Sequence, residues 1–173
     1  PAVARELSSL AQNYPKPFLY ALMNLMGSHD RPRILNVLAG NDGSDIPRDQ
    51  RAHHRLSPEE RMIGALREQL MLRFIFSVPG MPCIYYGDEA GVCGFTDPDN
   101  RRTYPWGRED KELINFHREI IRIHRQNKEF KTGSLKCLTL DYNFLAYGRF
   151  TKNNHSVVLI NNNENEITKE LSV

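Results

Sequence analysis

Apolar positions change their spacing several times along the chain, and each change marks an element. Residues 3–12, VARELSSLAQ, predict a short helix that Tyr14-Pro15 stops. The next run, PFLYALMNLM at residues 17–26, is apolar without a period, so helix and buried strand both fit it. Its last residues before Gly27 would form a strand that delivers His29 and Asp30 to a strand end. Residues 40–58, GNDGSDIPRDQRAHHRLSP, are polar and rich in turn formers, and predict a long loop. Helix signals follow: Ser57 suits the N-cap, Pro58 the first helical position, and Glu60 completes a capping box. Met62, Ile63, Leu66, Leu70 and Phe74 then recur at helical spacing to about Phe76. VPGMP breaks that helix, and CIYYG, a short β-prone run closed by glycine, predicts a buried strand with Asp88 and Glu89 directly after it. Residues 91–109 read as a second Gly/Asp/Pro-rich loop. A second helix is expected from about Asp110 to Gln126, with Leu113, Phe116, Ile120 and Ile123 on one face. After Lys131 the texture becomes strand-like. SLKCLTL, NFLAYGRF, SVVLINNN and ITKELSV, separated by turns, predict four antiparallel strands, and the chain ends just after the last.

The first part thus runs strand, loop, helix, strand, loop, helix. That order predicts an α/β fold with parallel strands, whose ligands sit at the carboxyl ends of the strands. His29 and Asp30 stand at such an end. Composition narrows the field. With 23 Lys and Arg against 21 Asp and Glu, the net charge is +2, which is too balanced for a nucleic-acid or acidic-membrane partner. No apolar stretch reaches the roughly 20 residues of a membrane helix, and PAVARELSSL is not a signal peptide. It also lacks an initiator Met, so a longer parent chain is expected. Cys83, Cys93 and Cys137 form no CxxC pair and are expected as free thiols in a cytoplasmic protein, Cys83 as a small core residue. His53 and His54 with Asp45 and Asp49 fit no metal template, and no metal or cofactor is expected.

The residues that change this picture are NLMGSHDRPRI, Asn24 to Ile34, and PGMPCIYYGDEAGVCGFTDPDNRRTYPW further along. The first resembles the fourth conserved segment of glycoside hydrolase family 13, the α-amylase superfamily. It resembles in particular the neopullulanase and cyclomaltodextrinase branch, where this segment reads much like NLLGSHDTPR. The second resembles strand 8 and the following loop of the same branch. The resemblance implies the C-terminal portion of a (β/α)8 TIM barrel, about strands 7–8 with their helices, over residues 1–129. A small antiparallel β domain over 130–173, which the chain end would truncate, is implied to follow. It also implies roles. Asp30 matches the carboxylate that stabilises an oxocarbenium-like transition state, and His29 the histidine that donates to the same sugar. Arg33 matches a supporting arginine able to fix a carboxylate bidentately. Asp97 and Arg101, the ends of DPDNR, match a pair that grips the next sugar. The implied partners are α-glucan oligosaccharides.

Plainer alternatives stand beside these roles. A lone His-Asp dipeptide usually caps a strand, and Asp97–Arg101 by itself reads as a loop ion pair. Asp88 and Glu89 are poor candidates for an acid and nucleophile, because neighbours leaving a strand point to opposite sides. In the family this GDE supports the rim of the site. Tyr85 and Tyr86 read as core, while Trp106 is evenly balanced between core and sugar stacking. The triplet NHS at Asn154 carries no weight without secretion. The family's nucleophile Asp and acid/base Glu, carried on strands 4 and 5, have no counterpart in these 173 residues. The expectation is therefore a glycosidase as parent protein, and an isolated chain that is inactive and self-associates through its open barrel edge. The rival is a non-catalytic, glycosidase-like carbohydrate-binding or scaffold protein.

Overall fold

The computed structural model describes residues 2–141 and 143–171. The early helix forms as α1 (Ala2–Asn13). The apolar run after Pro15 splits between the two structures it could adopt: α2 (Lys16–Ala21), then strand β1 (Met23–Leu25). The capping box is realised in both directions at the start of α5. Glu60 Oε2 accepts from the Ser57 N–H at 2.7 Å, and Ser57 Oγ accepts from the Glu60 N–H at 3.1 Å. Helix α5 then runs from Pro58 to Ser77. Helix α3 (Ile34–Leu38) precedes the long polar stretch of residues 40–58, and a single turn, α4 (Arg48–Arg51), forms within that stretch. Strand β2 (Met81–Cys83) pairs with β1, and the Met81 N–H donates to the Leu22 carbonyl at 2.7 Å. Short 3-10 turns follow at Asp88–Ala90 and Asp99–Arg101. The chain continues through α6 (Lys111–Gln126), α7 (Lys128–Thr132) and strands β3 (Ser134–Leu140), β4 (Phe144–Phe150) and β5 (His155–Asn161).

Two compact units result. One comprises residues 1–23, 76–81 and 123–173. Its sheet is an antiparallel meander in the order β3-β4-β5, pairing Ser134 with Phe150 and Phe150 with His155. Ala146, Tyr147 and Arg149 of the central strand β4 are fully buried. Arg149 is accommodated because its guanidinium donates to the carbonyls of Gly133 and Ser77. The other unit, residues 24–75 and 82–122, contains α3 and most of α5 and α6 and buries Leu35, Leu72, Phe95 and Leu113. Gly64 lets α5 approach α3, since a Cβ there would come within 2.7 Å of the Leu35 carbonyl oxygen.

Two expected strands are corrected. Residues 167–171 are not a strand; Ser172 and Val173 lie outside the described residues. The segment TKEL offers little apolar surface to bury, Ile167 stays exposed, and Lys169 bonds Asp141 at 2.6 Å instead. The strand placed at CIYYG ends early, at Cys83. Beyond it the Tyr86 carbonyl accepts from the Arg33 side chain, so this backbone acceptor serves a buried guanidinium instead of a strand ladder.

Candidate active site

Strand β1 stops at Leu25, and the chain turns at His29 and Asp30. Gly27 lies close against Asp88: a Cβ there would come 2.3 Å from Asp88 Oδ2, so a larger residue would displace that carboxylate. Ser28 then closes a turn around Asp30. Its hydroxyl accepts from the Asp30 N–H at 3.2 Å and its carbonyl from the Arg31 N–H at 3.4 Å. His29 Nε2 sits 3.1 Å from Asp30 Oδ1, and the two side chains are 62% and 72% exposed. Both functional groups are therefore presented outward on a short, tied loop.

Arg33 anchors that loop. It is 1% exposed, far below what an arginine adopts without partners. Its Nε donates to the Asn100 carbonyl at 2.7 Å, and one terminal nitrogen donates to Asp88 Oδ1 at 2.9 Å and to the Tyr86 carbonyl. The rings of Tyr85 and Tyr86 flank the guanidinium, with centroids at 4.3 and 4.6 Å. Burial pushes the Asp88 carboxyl up to about 6, although Arg33 pulls it the other way. Asp88 is thus a structural counter-charge. Glu89 turns back onto the Gly87 N–H at 2.8 Å. Asp88 and Glu89 stand on a 3-10 turn, not at a strand end, and have different partners.

Sequence reasoning passed over Asn100. It is fully buried, and its Nδ2 donates to the carbonyls of His29 at 2.6 Å and Arg31 at 2.8 Å, one on each side of Asp30. The only sequence signal was its position between two flagged residues of DPDNR; its carbonyl targets leave no side-chain signature. The same 3-10 turn carries Arg101, whose Nε meets Asp97 Oδ1 at 2.8 Å, both side chains about half exposed. Asp97 and Arg101 line a groove of about 530 Å³ together with Arg48 and Arg51. Asp99 fixes the turn from inside, accepting from the Phe95 N–H at 2.8 Å and from Arg102 at 2.6 Å. The structure therefore joins His29 and Asp30, through Asn100, to the turn that bears Arg101.

No family model matches the chain. Its sequence is 41% identical over 145 residues to the amylopullulanase of Thermoanaerobacter thermohydrosulfuricus, covering 84% of this chain and 9% of that protein. It is 31% identical over 167 residues to the cyclomaltodextrinase of Geobacillus thermopakistaniensis, covering 94% of this chain and 24% of that one. The chain belongs to glycoside hydrolase family 13. The solved debranching enzyme of Nostoc punctiforme matches its fold with a TM-score of 0.70 at 25% identity, over 91% of this chain and 28% of that one. The chain thus spans a quarter or less of the two curated relatives' length. In this family 13 chain, the resemblance seen in NLMGSHDRPRI and in the DPDNR loop falls on the surface just described.

The remaining candidates sort plainly. Tyr86 is not core; it is 44% exposed, with its ring over Arg33. Trp106 is 81% exposed beside Tyr104. His54 lies 3.1 Å from Asn41 Nδ2 and against the Phe95 ring, inside the loop's own packing. Cys83, Cys93 and Cys137 are free thiols. No helix among the described residues is long and apolar enough to cross a membrane.

Between α5 and α6 lies a buried pair that the sequence did not announce. Glu68 Oε1 is 3.9 Å from His117 Nε2. That is beyond hydrogen-bond reach. Burial, reinforced by Asp88, Asp110 and Glu89 and opposed by Arg61, pushes Glu68 up to about 9. Burial holds the His117 imidazole below its usual range, and its Nδ1 proton goes to the Leu113 carbonyl at 2.9 Å. Both groups are neutral at pH 7. A carboxyl whose folded pKa is raised contributes stability below its unfolded pKa and loses it as pH rises through the folded one. Stability is therefore expected to fall between about pH 4.5 and 9, by on the order of 3 kcal/mol at pH 7. Glu68→Gln should remove most of that slope, leaving the smaller fall below about pH 6 that the raised Asp88 contributes. Urea midpoints at pH 5 and pH 8 check it; parallel pH profiles for both proteins would show that Glu68 is not the titrating group.

Proposed function

We propose that the protein to which this chain belongs is a retaining glycoside hydrolase or transferase. Its substrates are α-1,4- and α-1,6-linked glucans such as maltooligosaccharides, cyclodextrins and pullulan. The observation that carries this is the exposed His29–Asp30 pair at the end of β1, locked from beneath by Arg33 and Asn100, in a chain 41% identical to an amylopullulanase. Asp30 supplies negative charge to an oxocarbenium-like centre, and its hydrogen bonds to sugar hydroxyls tighten there. His29 donates to the same sugar. Asp97 and Arg101 hold the neighbouring sugar, with Arg33 as structural support. Residues 1–129 form the strand 7–8 portion of a (β/α)8 barrel, with β1 and β2 parallel, and residues 130–173 an antiparallel domain. The free thiols fit a reducing, cytoplasmic compartment.

Retention needs a nucleophile and an acid/base about 5 Å apart. Asp88 is buried against Arg33 and Glu89 is turned onto a backbone N–H, so neither is set up for those roles. The two carboxylates come from outside these residues, and the chain alone is inactive. Exposed Phe18, Met23 and Met81 in one unit, and Met62 and Leu66 in the other, favour self-association of the isolated chain, which light scattering reads.

Incubating the full-length protein with maltooligosaccharides, cyclodextrins and pullulan tests the proposal. α-Anomeric products are expected, and absence of cleavage or transfer would favour the non-catalytic binder. Asp97→Ala or Arg101→Ala should raise KM about tenfold or more, because a charge-assisted hydrogen bond contributes about 1.5–3 kcal/mol. These variants should also shift product lengths. An unchanged KM and product pattern would remove the pair from the substrate site.

A further inference from the structure

We infer that Asn100 is a positioning residue for Asp30, acting through the backbone and coupling the aim of that carboxylate to the Asp97–Arg101 turn. The inference rests on the reading of Asp30 given under Proposed function and assigns a residue that the reading does not need.

Asp30 is exposed, and the contact described for its carboxylate is the equally exposed His29. Side-chain packing cannot aim it, so its direction depends on the backbone at residues 29–31. Four hydrogen bonds fix that backbone. The peptide between His29 and Asp30 is held from both ends, its N–H on Ser28 Oγ and its C=O on Asn100 Nδ2. The Arg31 N–H goes to the Ser28 carbonyl, and the Arg31 C=O to Asn100 Nδ2 again. Asn100 alone clamps both sides of Asp30 with one group. Its orientation is unambiguous, because two carbonyl oxygens can only face the amide nitrogen.

The clamp is itself immobilised. Asn100 is fully buried, its carbonyl accepts from Arg33 Nε at 2.7 Å, and Arg33 is tied to Asp88. The Arg33 N–H bonds the Gly94 carbonyl at 2.8 Å, and the Gly94 N–H bonds Asn36 Oδ1 at 2.9 Å. Because Asn100 belongs to the Asp99–Arg101 turn, the place of that turn sets the place of Nδ2, and with it the two carbonyls that flank Asp30. Occupancy of the Asp97–Arg101 groove and alignment of Asp30 are linked by one short turn.

The test is a double-mutant cycle in the full-length protein: Asn100→Ala and the isosteric Asn100→Asp, each alone and combined with Asp30→Asn. The readouts are kcat and KM on a maltooligosaccharide, with thermal midpoints alongside. Misplacement by about an ångström costs on the order of 10²-fold in rate, so Asn100→Ala should lower kcat by about that factor with KM little changed. Asn100→Asp keeps the shape but turns a carboxylate toward two carbonyl oxygens, and should lower kcat at least as far. In the Asp30→Asn background the same changes should cost less than about threefold, since the group they act through is already disabled. A general loss of structure would lower activity by the same factor in both backgrounds. Asn100→Ser is carried in parallel and decides by the same cycle should the alanine variant fail to fold. Equal losses in the two backgrounds, or an unchanged kcat, overturn the inference while leaving the role of Asp30 standing. Normal turnover of Asp30→Asn overturns both.

Discussion

Asp30→Asn in the full-length protein is expected to lower kcat by about 10²–10³-fold, the range found when one preorganised electrostatic contact to a transition state is removed. The substitution keeps the shape and removes the charge, so it isolates the interaction that grows as the sugar becomes cationic. Ground-state contacts to hydroxyl groups survive in part, because an amide oxygen still accepts hydrogen bonds. KM should therefore change far less than kcat, the pattern of an interaction made mainly in the transition state. Folding should be untouched. The Asp30 side chain is 72% exposed, and the loop beneath it is held by Asn100, Ser28 and Arg33, none of which bonds the Asp30 carboxylate. A matched fall in thermal midpoint would show that the variant was simply unfolding. Near-normal kcat in a folded variant would remove Asp30 from the catalytic set and leave the non-catalytic rival as the better reading.

The chain's elements were legible where local chemistry decides them. The Ser57–Glu60 capping box and the apolar period after it set the start and course of α5, and both sides of the box are formed. The failures came where a tertiary partner takes over. CIYYG looks like a strand by composition, yet the Tyr86 carbonyl goes to an arginine more than fifty positions away, which composition cannot reveal. ITKELSV reads as strand-like, but over residues 167–171 there is little to bury: Ile167 stays exposed and Lys169 pairs with Asp141. The site shows the same division. His29, Asp30, Asp97 and Arg101 stood out because they fall in the two segments that resemble family 13; by themselves they read as a strand cap and a loop ion pair. Asn100 did not, because its work is done on backbone carbonyls that every sequence possesses. Arg33 was matched to a supporting arginine able to fix a carboxylate; it reaches Asp88 through one nitrogen and makes its other contacts with carbonyls and tyrosine rings.

Arg33→Met is expected to destabilise the fold by about 3–5 kcal/mol at pH 7.5, the range for removing one partner of a buried ion pair. Methionine fills much of the volume but leaves the Asp88 carboxylate, 4% exposed, without its counter-charge. The Asn100 and Tyr86 carbonyls lose their donor as well. The cost should depend on pH in a defined direction. Burial already raises Asp88 from 3.8 to about 6 while Arg33 pulls it down, so losing Arg33 raises it further. A raised folded pKa contributes stability below the unfolded value and loses it as pH rises. Near pH 3.5 Asp88 is protonated in the folded state of both proteins, so only the part of the cost due to the orphaned carbonyls and lost packing should remain. The gap should widen as pH rises through about 6, where the parent's folded Asp88 ionises and the variant's does not. Asp88→Asn added to Arg33→Met should recover the pH-dependent part but not the part due to the two orphaned carbonyls. Urea midpoints across that pH range, at constant m-value, measure both. A gap independent of pH, with no recovery in the double variant, would mean that Arg33 stabilises the loop through its carbonyl bonds and its packing between Tyr85 and Tyr86, and that the Asp88 charge is of no consequence to the fold.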